Sequence, residues 1–398
     1  MASSEPDAAR SLLTASAVRE RAHEMLAVAL DDGLAEWSVD LDRLPATADR
    51  VAEVIRAQYP TLKVPFHARW RHFVAGGHDL WAELGDAAFW PDRKARGRAA
   101  FDLAITSVLL DAGAGPDWRY RDIVTGVTAA RSEGLGIASL RLFESGALSA
   151  SSEDPLRADA LERLDAATLA TAFQVGDDNP LVGLEGRAAL LRRLGATVGR
   201  PGDLFDVIAA RAVDGVLDAP IILEVLLDRL GPIWENRLSL GGVPLGDVWR
   251  HPAIKRDDAT DGLVPIHKLS QWLAYSLIEP LEEAGIAVRG LDGLTGLAEY
   301  RNGGLFIDAG VLVLKDRADL DRTHAVGDPL VVAWRSLTVA LLDRIAPLVR
   351  ERLGVAEADF PLARVLEGGT WATGRVLAKE RREGGGPPLK IESDGTVF

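Results

Sequence analysis

A single carboxylate stands among polar side chains in the segment LAEYRNGGL, residues 297–305. Glu299 is followed there by Tyr300, Arg301 and Asn302, and an apolar run comes next. A carboxylate in such a place could hold a water molecule against a reacting carbon and accept its proton. An exposed turn that carries Glu299 and Arg301 explains the same residues equally well, so the local sequence leaves both interpretations open.

A second set of polar side chains follows helical spacing in the segment HKLSQWLAY, residues 267–275. Lys268, Gln271 and Tyr275 are three and four positions apart, which places an ammonium, an amide and a phenol on one stripe of a helix. A solvated polar face is the more common explanation of such a stripe. His267 precedes it, and a single histidine without companions is rarely a ligand.

A third candidate is Arg335, the one charged side chain in the apolar run LVVAWRSLTVALL, residues 330–342. A helix that is apolar on nearly every face is buried, and arginine is almost never buried without a partner. Its planar guanidinium fits either a carboxylate or a phosphate. An internal ion pair and the recognition of a ligand anion therefore remain equally open for Arg335.

The elements that must position these side chains are predicted to be mostly helices, since apolar residues recur at helical spacing in many segments. The run LFIDAGVLVL, residues 305–314, also has a helix-like pattern, whereas residues 131–134, 368–371 and 393–395 are typical of loops and turns. Strand signals are confined to Ala287–Arg289 and Leu389–Glu392, and no βαβ alternation is present. The sequence therefore predicts a mainly α fold with a few short β-strands. The predicted helices are Val18–Leu30, Thr47–Ala57, Lys94–Ala112, Pro155–Ala172, Arg187–Leu194, Asp203–Asp214, Ala219–Leu230, His267–Ala284 and Pro329–Leu353.

Composition narrows the possible partners. The 398 residues include 45 Lys and Arg against 59 Asp and Glu, a formal net charge of −14. A nucleic-acid backbone requires a basic field over many phosphates, so we expect no nucleic-acid partner, although a local basic patch could hold one small phosphorylated ligand. The absence of cysteine excludes disulfides, thiolate metal sites and cysteine nucleophiles. The seven histidines are not spaced as metal ligands.

No segment predicts a membrane span or an export signal. The first ten residues, MASSEPDAAR, are polar and acidic, unlike a signal peptide. The most apolar run, residues 330–342, is too short to cross a bilayer and contains Arg335. We therefore expect a cytoplasmic protein with no membrane partner.

Long segments of this sequence resemble the uracil-catabolism protein 4 family, in order and over nearly the whole chain. The resemblance implies a role in a route in which uracil becomes a ribonucleotide, its ring is opened and urea is released through a ribosylurea-type intermediate. The segments are VPFHARWRHF (64–73), FDLAITSVLLDAGAG (101–115), ARSEGLG (130–136), ENRLSLGGVPLGDVW (235–249), VPIHKLSQWLAYSLIEP (264–280), GLTGLAEYRNGGLFID (293–308), WRSLTVALLDRIAPLVR (334–350), LEGGTWATGR (366–375) and SDGTVF (393–398).

A more distant resemblance, over residues 264–345, is to the queuosine-salvage 5′-phosphate N-glycosylases. It implies a multi-helix fold similar to that of DNA glycosylases and hydrolysis of the N-glycosidic bond of a nucleoside 5′-phosphate. The chain departs from that pattern by having Glu299 in place of Asp and Asn302-Gly303-Gly304 in place of Val-Pro-Gln, so the base pocket must differ. The matching residues are Lys268 and Gln271 in HKLSQ, Glu299, Tyr300 and Arg301 in AEYR, and Arg335 in WR.

Together the two resemblances imply a metal-independent N-ribosyl hydrolase, without a cofactor, that converts N-ribosylurea, as its 5′-phosphate, to urea and ribose 5-phosphate. The alternative is a non-catalytic protein that binds a nucleotide or an intermediate of the same pathway. A polar stretch at residues 147–155 divides an N-terminal helical part, 1–150, from a C-terminal catalytic part, 151–398, and we expect the two to pack as one compact unit. The expected roles are catalysis by Glu299, phosphate binding by Lys268 and Arg335, ribose binding by Gln271 and Tyr300, recognition of the ureido group by Arg301 or Asn302, and His267 as a candidate proton donor.

Overall fold

Helices dominate residues 4–392, the part of the chain that this computed structural model describes. The mainly α fold with short strands is confirmed. The turn predicted at residues 393–395 and the segment SDGTVF lie outside the described residues. The helices are α1 (Glu5–Ser11), α2 (Ala15–Leu30), α3 (Leu44–Gln58), α4 (Leu80–Ala87), α5 (Arg93–Leu109), α6 (Arg131–Glu144), α7 (Ala166–Ala172), α8 (Leu184–Val198), α9 (Leu204–Ala209), α10 (Ala219–Leu230), α11 (Lys268–Glu283), α12 (Tyr300–Asp308), α13 (Pro329–Leu353), α14 (Leu362–Val365) and α15 (Trp371–Arg381).

The strands are two or three residues long and form two-stranded pairs. Predicted strand Ala287–Arg289 is present as β11, and the strand predicted at Leu389–Glu392 begins one residue later as β14. Pairs β6–β11 and β13–β14 are parallel, and the other five are antiparallel. The strands are β1 (Trp37–Val39), β2 (Val74–Ala75), β3 (His78–Asp79), β4 (Tyr120–Arg121), β5 (Thr128–Ala129), β6 (Val216–Asp218), β7 (Ser239–Leu240), β8 (Val243–Pro244), β9 (Val248–Arg250), β10 (Leu263–Pro265), β11 (Ala287–Arg289), β12 (Leu312–Leu314), β13 (Thr323–Ala325) and β14 (Lys390–Glu392).

Three predicted helical segments differ from the structure. The helix predicted over Asp203–Asp214 is the shorter α9, which ends at Ala209. The helix predicted over Pro155–Ala172 is restricted to α7 and a short 3₁₀ turn, because Asp165 accepts a hydrogen bond from the backbone N–H of Thr168 and starts a new helix there. The helix-like run after residue 304 ends at Asp308, and its apolar tail continues as strand β12. A short apolar run has the same composition in a buried helix and in a buried strand.

The described residues form two compact units made of interleaved segments. The first unit comprises residues 4–67, 236–271 and 290–392, and the second comprises residues 68–235 and 272–289. Helix α11 starts in the first unit and continues into the second at residue 272. The division into parts 1–150 and 151–398 stays a prediction.

Helix α13 is the centre of the first unit. Its residues from Leu330 to Leu342 are all buried because the helix is apolar on nearly every face, and α2, α3 and α12 pack against it. Pro329 at its first turn and Gly354 in the left-handed conformation after its end fix its two boundaries. A rigid, buried helix is thus available to hold Arg335.

The second unit is built on α5, whose residues from Ala99 to Leu109 are buried and which packs against α6, α8 and α9. Asp102 is a buried carboxylate on α5 that lies 2.8 Å from the Nε of Arg200 and accepts the backbone N–H of Gly202. Burial raises the pKa of Asp102 to about 7, and the charge of Arg200 acts in the opposite direction.

Over residues 4–392, no helix is both long and apolar enough to pass through a membrane.

Candidate functional site

Glu299 occupies the N-terminal cap of α12 and is 8% exposed. Its two carboxylate oxygens accept the backbone N–H groups of Arg301 at 2.6 Å and Asn302 at 2.5 Å. Glutamate is not among the preferred capping residues, which have shorter side chains, so the side chain of Glu299 must curl back over the first turn of α12. The positive end of the helix dipole then stabilises the carboxylate.

The charge state of Glu299 is set by opposing effects. Burial raises the pKa of its carboxyl group, while the two backbone N–H groups and the positive charges of Lys268 and His67 pull the pKa down. The net pKa is higher than that of an ordinary glutamate. A buried carboxyl group with a raised pKa and a cation within electrostatic reach is a frequent feature of acid–base sites. The structure therefore brings two of the predicted residues, Glu299 and Lys268, into one electrostatic environment.

Arg335 has a carboxylate partner. Its two terminal nitrogens each lie 2.8 Å from an oxygen of Asp247, in a bidentate pair, and the arginine is 1% exposed. Burial alone would raise the pKa of Asp247, but the guanidinium of Arg335 holds it well below its usual range. Of the two interpretations that the sequence left open for Arg335, the structure shows the internal ion pair.

Asp247 also fixes the start of helix α11. Its carboxylate accepts the backbone N–H of Lys268 at 3.0 Å, and its backbone carbonyl accepts the N–H groups of Ile266 and His267. The carboxylate further accepts the indole N–H of Trp249 at 2.6 Å. Asp247 thereby connects Arg335 to the turn that carries Lys268, which makes it a positioning residue that the sequence did not indicate.

His267 is a buried residue with an unusual backbone. Its φ of 49° lies in the left-handed region, and its Nε2–H donates to the backbone carbonyl of Leu12 at 3.0 Å. Burial lowers the pKa of its imidazole, and this effect is larger than the opposite effect of the neighbouring charge of Asp247. A neutral, hydrogen-bonded ring is poorly suited to donate a proton. The structure supports a positioning role for His267 at the start of α11.

Gln271 is fully buried and only partly satisfied. Its side-chain oxygen accepts the backbone N–H of Thr295 at 3.3 Å, while its Nε2 has no hydrogen-bond partner among residues 4–392. Leaving a buried amide donor unsatisfied costs about 1–3 kcal/mol. Gln271 thus presents a donor that a ligand oxygen could satisfy.

The residues after Glu299 make extensive contacts within the protein. The guanidinium of Arg301 lies 4.7 Å from the ring centroid of Tyr300, and its Nη1 donates to the carbonyl of Gly385. The amide of Asn302 donates to the carbonyl of Leu297, and its oxygen accepts the hydroxyl of Thr370 at 2.8 Å. Asn302 is fully buried, and these bonds tie the start of α12 to the segment before α15.

Sequence reasoning missed a buried pair formed by His67 and Glu367. The imidazole Nδ1 of His67 lies 2.6 Å from the Oε2 of Glu367, and both side chains are largely buried. Glu367 belongs to a single π-helical turn, Leu366–Thr370. The available signal was that the two residues occur in VPFHARWRHF and LEGGTWATGR, which are among the segments that carry the resemblance.

A cavity of about 340 Å³ in the first unit lies beside this pair. Two cations, an amide and an indole line it together with Glu367. The named lining residues are Gln58, Glu367, Trp371, Ala372, Arg375, Val376 and Lys379. A cavity of this size and lining is compatible with a small polar ligand that carries negative charge.

Comparison with known proteins identifies the family. The family described as "Protein of unknown function (DUF1688)" matches residues 11–398. The chain belongs to the DUF1688 family. Similar proteins include Protein urg3 of Schizosaccharomyces pombe (strain 972 / ATCC 24843), which is 39% identical over 97% of this chain and 98% of its own length. Uracil catabolism protein 4 of Lachancea kluyveri is 36% identical over 96% of this chain and 97% of its own length.

These relatives confirm the resemblance of the sequence segments to the uracil-catabolism protein 4 family. The DUF1688 match includes all the segments that supply the site residues, from VPFHARWRHF to LEGGTWATGR. Every residue of the candidate site, including Asp247, His67 and Glu367, also belongs to the first compact unit. The candidate site of this DUF1688 protein is therefore a cluster around Glu299 within one compact unit.

Proposed function

We propose that this DUF1688 protein acts in uracil catabolism as a hydrolase of an N-glycosidic bond, converting N-ribosylurea 5′-phosphate to urea and ribose 5-phosphate. The name of the relative from Lachancea kluyveri supports the pathway. The resemblance of HKLSQ, AEYR and WR to the queuosine-salvage N-glycosylases supports the reaction. The observation that carries the proposal is the burial of Glu299 at a helix N-terminus within electrostatic reach of Lys268.

The reaction makes demands that Glu299 can meet. Breaking the bond between the ribose carbon and nitrogen builds positive charge on the sugar ring, as in other glycoside hydrolyses. The carboxylate of Glu299 stabilises this charge and accepts a proton from the attacking water. General base catalysis of this kind contributes about 10²–10⁴ in rate.

Residues at the start of α11 bind the substrate. Lys268 provides the positive charge for the 5′-phosphate, and Asp247 holds its backbone in place through the hydrogen bond at 3.0 Å. Arg335 contributes through its ion pair with Asp247 rather than by contacting the phosphate. The Nε2 of Gln271 donates to a ribose hydroxyl, which satisfies its buried amide. Binding at these points places the sugar carbon against Glu299.

Urea release by the purified full-length protein tests the proposal. The substrates are N-ribosylurea with and without the 5′-phosphate. We expect turnover of the phosphorylated compound and a loss of about 10²–10⁴-fold in kcat for Glu299→Gln. Glu299→Asp keeps the carboxylate and should retain part of the activity. Glu53→Gln, an exposed glutamate on α3, is the matched control and should behave like the unmodified protein.

Two results would overturn the proposal. The first is normal turnover by Glu299→Gln, which would remove the proposed base. The second is tight binding of the compound by the unmodified protein without any release of urea. That second result would favour the non-catalytic alternative, a protein that binds an intermediate of the pathway.

A further inference from the structure

The His67–Glu367 pair has the geometry of an oriented imidazole. The Nδ1–H of His67 donates to the Oε2 of Glu367 at 2.6 Å, with 8% and 15% of the two side chains exposed. The backbone N–H of His67 donates to the carbonyl of Ala363, which fixes the main chain as well. A carboxylate on Nδ1 sets the tautomer and the orientation of the ring, as in sites where an imidazole transfers protons through Nε2.

Two hydrogen bonds and one helical turn connect this pair to Glu299. The carboxylate of Glu299 accepts the N–H of Asn302, and the side-chain oxygen of Asn302 accepts the hydroxyl of Thr370. Thr370 and Glu367 belong to the same π-helical turn. Turns of this kind are rare in proteins, and many of those that do occur lie at functional sites. The positive charge of His67 also helps to stabilise the ionised form of Glu299.

The π-helical turn is held rigidly on its other side. A Cβ atom on Gly369 would lie 2.9 Å from side-chain atoms of Ile55 and Val51, and one on Gly368 would lie 3.0 Å from Val64. The two glycines therefore let the turn approach α3 closely. This packing fixes the position of Glu367 and, through it, of the imidazole of His67.

Glu367, one member of the pair, lines the cavity of about 340 Å³. Arg375 and Lys379 line the same cavity and give it positive charge, which attracts an anionic substrate. Trp371 is also part of its lining, and the rings of Trp371 and His67 are 6.0 Å apart. The reaction needs an acid at this point, because a ureido nitrogen leaves poorly without a proton.

We infer that His67 is the general acid that protonates the leaving nitrogen, and that Glu367 positions its imidazole for this step. This inference rests on the proposed hydrolase. The bond between the ribose carbon and nitrogen breaks with its electron pair on nitrogen, and the Nε2 proton of His67 goes to that nitrogen to give urea. Water forms the new carbon–oxygen bond and loses its proton to Glu299. Solvent then returns one proton from Glu299 to His67, so the net reaction consumes one water.

Two substrates that differ in their leaving groups test the inference in the full-length protein. N-ribosylurea 5′-phosphate needs an acid, whereas the phenolate of 4-nitrophenyl riboside 5′-phosphate leaves without one. We expect His67→Gln to lose about 10²–10⁴-fold in kcat on the ribosylurea and less than about tenfold on the nitrophenyl compound. Glu367→Gln should show the same split with a smaller loss, and Glu367→Asp should recover part of it. Glu380→Gln, an exposed residue of α15, is the control.

The outcomes separate the two proposals. If the unmodified protein hydrolyses neither substrate, the proposed function and this inference both fail. If it hydrolyses both and the substitution at His67 slows them equally, the proposed function stands and the acid role of His67 is overturned. If His67→Gln does not fold, as judged by its thermal unfolding, the ratio of the two rates for Glu367→Gln decides, and an unchanged ratio overturns the inference.

Discussion

At the scale of single residues, Glu299 combines two roles that normally require different side chains. It caps α12 through two backbone hydrogen bonds, and it carries a buried carboxylate near Lys268. The cap favours the charged form, while burial favours the neutral form. The resulting pKa is above that of an ordinary glutamate. A carboxyl group balanced in this way can take up and release a proton during a reaction cycle.

The raised pKa of Glu299 predicts the acidic side of the pH profile. As the pH falls through this pKa, the carboxylate is protonated and can no longer accept a proton, so kcat/KM should decline at a higher pH than an exposed glutamate would give. Lys268→Met removes a charge that lowers the pKa of Glu299 and should move the decline to still higher pH. Measurement of kcat/KM against pH for both proteins checks this. Lys63→Met, which removes an exposed lysine, is the control and should leave the decline of kcat/KM at the same pH. If the decline does not move in Lys268→Met, the assignment of Glu299 as the base that Lys268 influences is contradicted.

The residues that sequence reasoning could predict are those that share a short segment. Glu299 and its neighbours, and Lys268 with Gln271, stand out because polar side chains interrupt a local pattern. Asp247 could not be found in this way, since its partner Arg335 is 88 positions away. His67 and Glu367 are 300 positions apart, so no local pattern indicates that they form a pair. Such pairs are set by the tertiary fold, so local periodicity carries no information about them.

At the scale of elements, the ion pair between Asp247 and Arg335 connects α13 to the start of α11. Both charges are buried, and each satisfies the other through two parallel hydrogen bonds. Removal of one partner leaves an uncompensated buried charge, whereas removal of both does not. The pair therefore fixes the relative position of the two elements as well as the charge at the site.

A double-mutant cycle tests this connection. Arg335→Met and Asp247→Asn should each destabilise the protein by about 3–5 kcal/mol, and the double variant should lose much less than the sum. Thermal unfolding of the four proteins at neutral pH gives the comparison. The lowered pKa of Asp247 keeps the pair ionised at that pH, and its contribution is lost only as the pH falls through the folded-state pKa. Additive losses would show that the two residues act separately.

Close packing of α12 against α15 is the second connection between elements, and it depends on Gly374. A Cβ atom at this position would collide with the backbone carbonyl of Arg301, which cannot move aside as a side chain could. Gly374→Ala should therefore lower stability by about 1–3 kcal/mol and reduce activity, because Glu299 caps the start of α12. Thermal unfolding and urea release measure the two effects.

Gly186 offers a matched control for this prediction. It lies inside α8, and an added Cβ would meet nothing within 4 Å. Gly186→Ala should raise stability by about 0.5–1 kcal/mol, since alanine is the better helix former. Equal effects of the two substitutions would mean that the contact between α12 and α15 is not tight.

Some helix boundaries can be predicted from local sequence signals, whereas others depend on tertiary packing. The bounds of α10 and α13 were predicted correctly, because proline at the first turn and glycine after the last are local signals. Residues 131–134 were predicted as a loop, yet α6 begins there. Its Gly134 and Gly136 lie against Trp118 and His72, where a Cβ would approach within 3 Å. Those glycines mark close packing, which a sequence pattern cannot distinguish from a turn.

At the scale of the whole molecule, segments that are distant along the chain pack into the same compact unit. In the first unit, α13 packs against α2 and α3, which come from the opposite end of the chain. In the second unit, α5 packs against α8 and α9, which follow residue 150. Each unit therefore contains residues from both sides of position 150.

Fragments of the chain test this interleaving. The fragment 1–150 contains α2 and α3 without α13, and 151–398 contains the apolar surface of α13 without its cover. We expect both to keep helical circular dichroism but to lose a cooperative thermal transition and to bind a hydrophobic dye, because packing is lost while helices persist. The fragment 68–289 keeps α5, α6, α8 and α9 together and holds both described segments of the second unit, joined by residues 236–271 of the first. It is the matched control, for which we expect cooperative unfolding. A sharp transition in 151–398 alone would instead support the division at residue 150, with that part folding by itself.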